Sequence, residues 1–96
     1  VTYARRIDTN HREIEAAFRS LGCTVFDTSR VGGGFPDMVV GVTGINLLVE
    51  VKDGARPPSE RRLNAAEREF HDSWRGQVVV VETVDQAIDL VNSVRS

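Results

Sequence analysis

Apolar side chains at Ile14, Ala17, Phe18 and Leu21 recur at helical spacing and predict an amphipathic first helix. Asp8, Thr9 and Asn10 precede it as N-cap candidates, and Gly22 follows where a helix commonly needs a left-handed residue. Residues 23–28 switch to the alternation and β-branching of a short strand. After Gly32, Gly33 and Gly34, residues 35–42 and 45–52 read as two strands joined by a tight turn at Thr43-Gly44. Residues 54–64 form a loop held open by Pro57 and Pro58. Asn64 and Glu67 stand at capping-box spacing and open a second helix. Ala66, Phe70 and Trp74 predict its buried stripe, and Gly76 closes it. The β-branched run 78–81 predicts a strand covered on both faces. Thr83 and Gln86 make a second capping box before Val84, Ala87, Ile88 and Val91, one face of a last helix.

The predicted order is α-β-β-β-α-β-α. Three strands in meander imply antiparallel pairing, and the strand-helix-strand step adds a parallel neighbour by a right-handed crossover. The expectation is therefore a small mixed sheet with helices on both faces. At 96 residues the chain predicts a single domain over 1–96. It has no apolar run of membrane-spanning length, and its polar start (Arg5, Arg6, Asp8) does not resemble a signal peptide. The one cysteine, Cys23, makes no internal disulfide and no Cys-rich zinc site, which predicts a reduced, intracellular (cytoplasmic) protein. Twelve basic against 14 acidic residues give a net charge of −2, which argues against an indiscriminate nucleic-acid binder. Eleven of those basic residues are Arg, so the one lysine, Lys52, beside a glutamate on a strand, draws attention.

The hairpin supplies the candidate chemistry. With Thr43 and Gly44 as the central turn residues, Val42 faces Ile45 and Asp37 lies across from Glu50. Like charges opposed at that distance are destabilising. A divalent cation between them removes the conflict, and few hard oxygen donors suit Mg²⁺. Lys52 falls on the same face as Glu50, while Val49 and Val51 turn to the core. A turn centred one residue later pairs Asp37 with Lys52 instead, an ordinary cross-strand salt bridge. Taken without further context, solvated edge residues or an ion pair are the default reading.

Pro36-Asp37, twelve intervening positions and Glu50-Val51-Lys52 resemble the signature of the PD-(D/E)XK nuclease superfamily. The stretches 29–37 and 48–54 look most like small standalone VRR-NUC-type or Holliday-junction-resolvase-like members, often phage-encoded in a bacterial host. The resemblance implies a restriction-endonuclease-like αβββαβ core, a mixed four-stranded sheet flanked by helices, with a C-terminal helix added. It implies a Mg²⁺-dependent DNA endonuclease (Mn²⁺ substituting), selective for branched or otherwise structured DNA and acting as a homodimer. By the same pattern Asp37, Glu50 and the Val51 carbonyl ligate the metal, and Lys52 serves the nucleophile. The family's glutamate on the first helix nominates Glu13, as a ligand to the metal or its water. Two features depart from the pattern. The arginine pair behind the VRR label is absent apart from Arg30-Val31, and the glutamine-tyrosine motif of exonuclease-like branches is replaced by Glu67-Arg68-Glu69-Phe70-His71.

Ser29, Arg30, Gly33 and Gly34 flank the site in sequence and are candidate DNA contacts, the glycines admitting a phosphate backbone closely. They serve equally as a flexible connection. Arg56, Arg61 and Arg62 form a candidate backbone clamp beyond Lys52, or an ordinary solvated loop. Glu13 reads as a site residue or as a solvated first-turn glutamate. His11 and His71 read as surface or capping residues, Cys23 as a small buried hydrophobe, and Phe70 and Trp74 as core, with an oligomer contact as the other reading of Trp74. The rival readings are a nucleic-acid-binding or assembly module on the same fold with little turnover, a sequence-specific restriction or repair subunit working with other proteins, and a plain α/β interaction domain in which Asp37 and Glu50 never meet.

Overall fold

The computed structural model describes residues 9–96, so the capping candidate Asp8 lies outside the described residues. The elements follow the predicted order: α1 (Thr9–Ser20), β1 (Thr24–Asp27), β2 (Met38–Val42), β3 (Ile45–Val51), α2 (Ala65–Ser73), β4 (Val78–Val81) and α3 (Val84–Arg95). A 3₁₀ turn at Pro58–Glu60 punctuates the long loop before α2. The sheet order is β1-β2-β3-β4, with β1–β2 and β2–β3 antiparallel and β3–β4 parallel. None of the described helices is long and apolar enough to cross a membrane.

Alternation builds the core on one face of the sheet. Met38, Val40 and Val42 point inward from β2, joined by Val25, Leu47, Val49, Val51 and Val81. Ile14 and Phe18 of α1 and Ala87 and Val91 of α3 cover them, and Cys23 is buried among them as its size predicts. The two helices also pack against each other.

The other face is only partly covered, and two sequence expectations fail there. Phe26 and Val80 both point to that side and are 73% and 39% exposed. β4 is an edge strand, not one covered on both faces. Its β-branched run reflects the fit of such side chains to a pleated backbone, and does not require two-sided burial. The stripe on α2 is likewise not core, for no residue of that helix is buried and Trp74 is 43% exposed. Phe70 instead stacks on Trp74 at 5.0 Å and meets Phe35 edge-on at 5.2 Å, a small aromatic cluster beside the sheet.

The caps behave more closely to expectation. Asn64 accepts from the Glu67 N–H at 2.8 Å while Glu67 accepts from the Asn64 N–H at 2.9 Å, a complete capping box. At α3 the Thr83 hydroxyl accepts from the Gln86 N–H, but the Gln86 side chain reaches one residue further back, to the Glu82 N–H at 2.7 Å.

The β2–β3 turn decides the register. Thr43 and Gly44 have φ of 46° and 81°, the two positive values of a type I′ turn. Val42 therefore pairs with Ile45 and Met38 with Val49. A β-branched residue is poorly suited to positive φ. Thr43→Asn should raise stability by about 0.5–1 kcal/mol in urea unfolding, with the register unchanged.

Candidate active site

β2 does not reach back to Phe35 as its sequence suggests. The ladder ends at Met38, and Pro36, which has no N–H to donate, lies just before it. Backbone and side chain of Asp37 then take over from the ladder. Its N–H donates to the Val49 carbonyl at 2.9 Å, and its carbonyl accepts from the Thr28 N–H at 2.8 Å. Its Oδ2 accepts the Val51 N–H at 2.7 Å. The Thr28 hydroxyl donates to the Pro36 carbonyl at 2.8 Å, fixing the same segment from β1. Asp37 is thus held rigidly where β1, β2 and β3 meet.

Glu50 projects from β3 on the face away from the core and is only 3% exposed. Burial, reinforced by the neighbouring Asp37 and Glu67 carboxylates, pushes its carboxyl up to about 9. The Asp37 and Glu50 side chains are neighbours on this face of the hairpin. Lys52 reaches the same place, its Nζ 2.8 Å from Glu67 Oε1 and 3.7 Å from Glu50 Oε2. Burial opposes its charge, yet the Glu67 hydrogen bond and the charges of Glu67, Glu50 and Asp37 win and hold the ammonium above its ordinary range. Burial likewise opposes ionisation of Glu67, but its bonds to Lys52 and to the Asn64 N–H bring its carboxyl below the usual value. The result is three carboxyl groups around one ammonium, with Glu50 the group that cannot comfortably ionise.

Glu67, Asn10 and His71 belong to this neighbourhood and were not singled out for it by sequence. Glu67 carried a signal, but the capping box accounts for it fully, and its contact with Lys52 spans 15 residues. Asn10 donates from Nδ2 to the Lys52 carbonyl at 2.6 Å. His71, one turn beyond Glu67, is kept neutral more readily by burial, against the opposing pull of Glu67 and Asp72. Among the described residues, Glu50 Oε1, Asn10 Oδ1 and His71 Nε2 are all buried without a hydrogen-bond partner. Such orphans are rare in native proteins and mark places where a ligand, ion or water belongs. The opposed Asp37 and Glu50 carboxyl groups, with Glu50 Oε1 unpartnered among the described residues, have the chemistry a hard divalent cation prefers, and such a cation would relieve the charge conflict between the two acids.

The remaining predicted residues divide. Glu13 is exposed and makes no hydrogen bond or ion pair with the group among the described residues; Asn10 is the α1 side chain that touches the end of β3. Ser29 is buried, its N–H donated to Asp27 Oδ1 at 2.8 Å, so its backbone shapes the turn. Arg56 pairs with Glu60 at 3.1 Å and Asp53 at 3.7 Å, and Arg61 with Glu82 at 3.4 Å. Two of the loop's three arginines are therefore paired with nearby carboxylates. Arg30 and Arg62 are exposed and form no ion pair among the described residues.

The glycine loop is not merely flexible. Gly34, at φ 84°, lies so close to α2 that a Cβ would come within 2.3 Å of the Ala66 carbonyl oxygen, while one on Gly33 would meet nothing. The loop thus packs on the first turn of the helix that carries Glu67. Gly34→Ala should cost at least about 2 kcal/mol in thermal unfolding, and Gly33→Ala about 1 kcal/mol from backbone conformation alone.

His11 is no surface residue, being 5% exposed, because the helix turns it toward β1. Comparison with protein-family models, with curated proteins and with solved structures finds no match in any of the three.

Proposed function

We propose that this chain is a divalent-metal-dependent DNA endonuclease of the PD-(D/E)XK kind, acting as a homodimer on branched or otherwise structured DNA. The observation that carries this reading is the Asp37–Glu50 carboxyl pair on one face of the hairpin with the Lys52 ammonium beside it. Asp37 and Glu50 would hold Mg²⁺, or Mn²⁺ in its place, with the Val51 carbonyl as the further ligand that the resemblance implies. When bound, the cation supplies charge stabilisation at the phosphate and a more acidic water.

The protein's own residues do the rest. Asp37 keeps β3 aligned through the Val51 N–H. Lys52 stays protonated at neutral pH, so it acts as a fixed positive charge that offsets the charge building on phosphorus and is no general base. Glu67 and the Lys52 carbonyl's bond from Asn10 hold that strand end in place. Water attacks phosphorus, the bond to the 3′ oxygen breaks, and a 3′-hydroxyl and a 5′-phosphate remain. A domain with one such site cuts two strands symmetrically by pairing with a second copy.

The test offers four-way junction, flap, nicked and linear duplex DNA to the protein with Mg²⁺, Mn²⁺ or EDTA. Metal-dependent cutting is expected, strongest on the branched substrates, and absent in Asp37→Asn, which keeps an acceptor for the Val51 N–H. Binding without cutting under every condition would favour a nucleic-acid-binding or assembly module. Neither binding nor cutting would remove nucleic acid from consideration.

A further inference from the structure

We propose that His11, Glu15 and Asp27 form a second metal site, for a Zn²⁺-type dication, that clips α1 to β1. It stands apart from the nuclease reading and uses none of its residues. His11 and Glu15 lie one turn apart on α1, and Asp27 ends β1. Each offers one ligand atom, and the three atoms lie within 4.8 Å of one another.

Distances separate this arrangement from a plain hydrogen-bonded histidine. His11 Nε2 is 3.6 Å from Asp27 Oδ2 and 3.9 Å from Glu15 Oε1. Both exceed the roughly 2.7–3.2 Å of an N–H···O bond. Metal–ligand bonds of 2.0–2.2 Å in a tetrahedron put ligand atoms about 3.3–3.6 Å apart, close to the two separations from His11 Nε2, and the third pair lies within 4.8 Å. His11 Nε2 is buried with no hydrogen-bond partner among the described residues, an acceptor or donor left over and aimed at two carboxylate oxygens.

The carboxylates are oriented for the purpose. Asp27 accepts the Ser29 N–H on its other oxygen, Oδ1, at 2.8 Å. Glu15 accepts from the Arg19 guanidinium on Oε2 at 3.1 and 2.9 Å. Each acid thus has one oxygen tied down and one facing His11, the pattern by which outer hydrogen bonds fix metal ligands. The Asp27 side chain is 42% exposed, so an ion has a way in and water has room to complete the coordination.

Imidazole with two carboxylates suits Zn²⁺, Co²⁺ or Ni²⁺ better than Mg²⁺, whereas the all-oxygen Asp37–Glu50 pair has the opposite preference. Because Asn10 adjoins His11 and bonds the Lys52 carbonyl, the clip would also steady the helix end at the candidate active site.

The experiment uses the Asp37→Asn/Glu50→Gln double variant, so that the first site cannot contribute. Zn²⁺ is titrated calorimetrically, and Co²⁺ is followed by its visible spectrum. One equivalent of Zn²⁺ should bind, with a Co²⁺ spectrum of low coordination number and a raised melting temperature. Adding His11→Gln or, at the surface, Asp27→Asn should weaken binding tenfold or more while circular dichroism stays native. No binding in the double variant, or binding indifferent to both His11→Gln and Asp27→Asn, would overturn the proposal.

Discussion

Glu50→Gln should make the metal-free protein more stable at pH 8 while sharply reducing cleavage. Glu50 is buried beside Asp37, and its carboxyl is raised from 4.5 to about 9. A raised carboxyl favours folding fully below its unfolded value, and that contribution is lost as pH rises toward the folded value. The wild-type protein in EDTA should therefore lose stability steadily across this window. The slope from this one group is at most about 1.4 kcal/mol per pH unit. Glutamine mimics the protonated acid and still offers Asp37 a donor, so the variant should stay flat and gain on the order of a few kcal/mol at pH 8.

His71 titrates with the opposite sign. Its lowered value makes the fold gain stability as pH rises, but only up to its unfolded value of 6.5, which leaves pH 7–9 free of its influence. Urea unfolding in EDTA at pH 7, 8 and 9 reads the effect, and parallel slopes for the two proteins would contradict it. Mg²⁺ should restore stability to the wild type at pH 8 and do little for Glu50→Gln. Cleavage by the variant should fall by a factor on the order of 10²–10³, the usual scale for losing one charge-stabilising group. A gain in stability joined to a loss of activity is the signature of a site held under electrostatic tension.

Lys52→Met is expected to act in the opposite direction on stability. It strands Glu67 without its 2.8 Å partner and leaves Glu50 with only negative neighbours. Breaking a well-buried pair costs about 3–5 kcal/mol, and partial exposure of these side chains brings the expectation to about 2–3 kcal/mol. The acid limb should change as well. The lowered Glu67 carboxyl stabilises the fold above its unfolded value of 4.5, and this is lost as pH falls through its folded value. In Lys52→Met that loss should shrink, so stability should fall less steeply below pH 4.5. A Lys52→Met/Glu67→Gln cycle isolates the coupling, and additive effects would show that the pair contributes nothing. Cleavage should also fall in Lys52→Met, even under conditions where the variant is fully folded.

Most of the fold was legible because its signals are local. Helical spacing, a capping box, a threonine N-cap and a two-residue turn each depend on a handful of adjacent residues. The register followed from Thr43-Gly44, and with it the neighbourhood of Asp37, Glu50 and Lys52. What misled was burial. The α2 stripe and the β4 valines carry the same pattern whether or not another layer covers them, and here none fully does. His11 was misjudged for the converse reason, because its partner Asp27 lies on another element.

The sequence by itself determined the order of elements, the strand register and the pair of acids, since side-chain alternation and turn geometry leave little choice once the hairpin closes. Only the tertiary structure decided which charges surround them. The placement of the first turn of α2 at the end of β3 brings Glu67 to Lys52, seating α1 beside β1 brings His11 to Asp27, and the basic loop finds Asp53, Glu60 and Glu82. Electrostatic energy depends on separation through space and on burial, and neither is written in the spacing of residues along a chain.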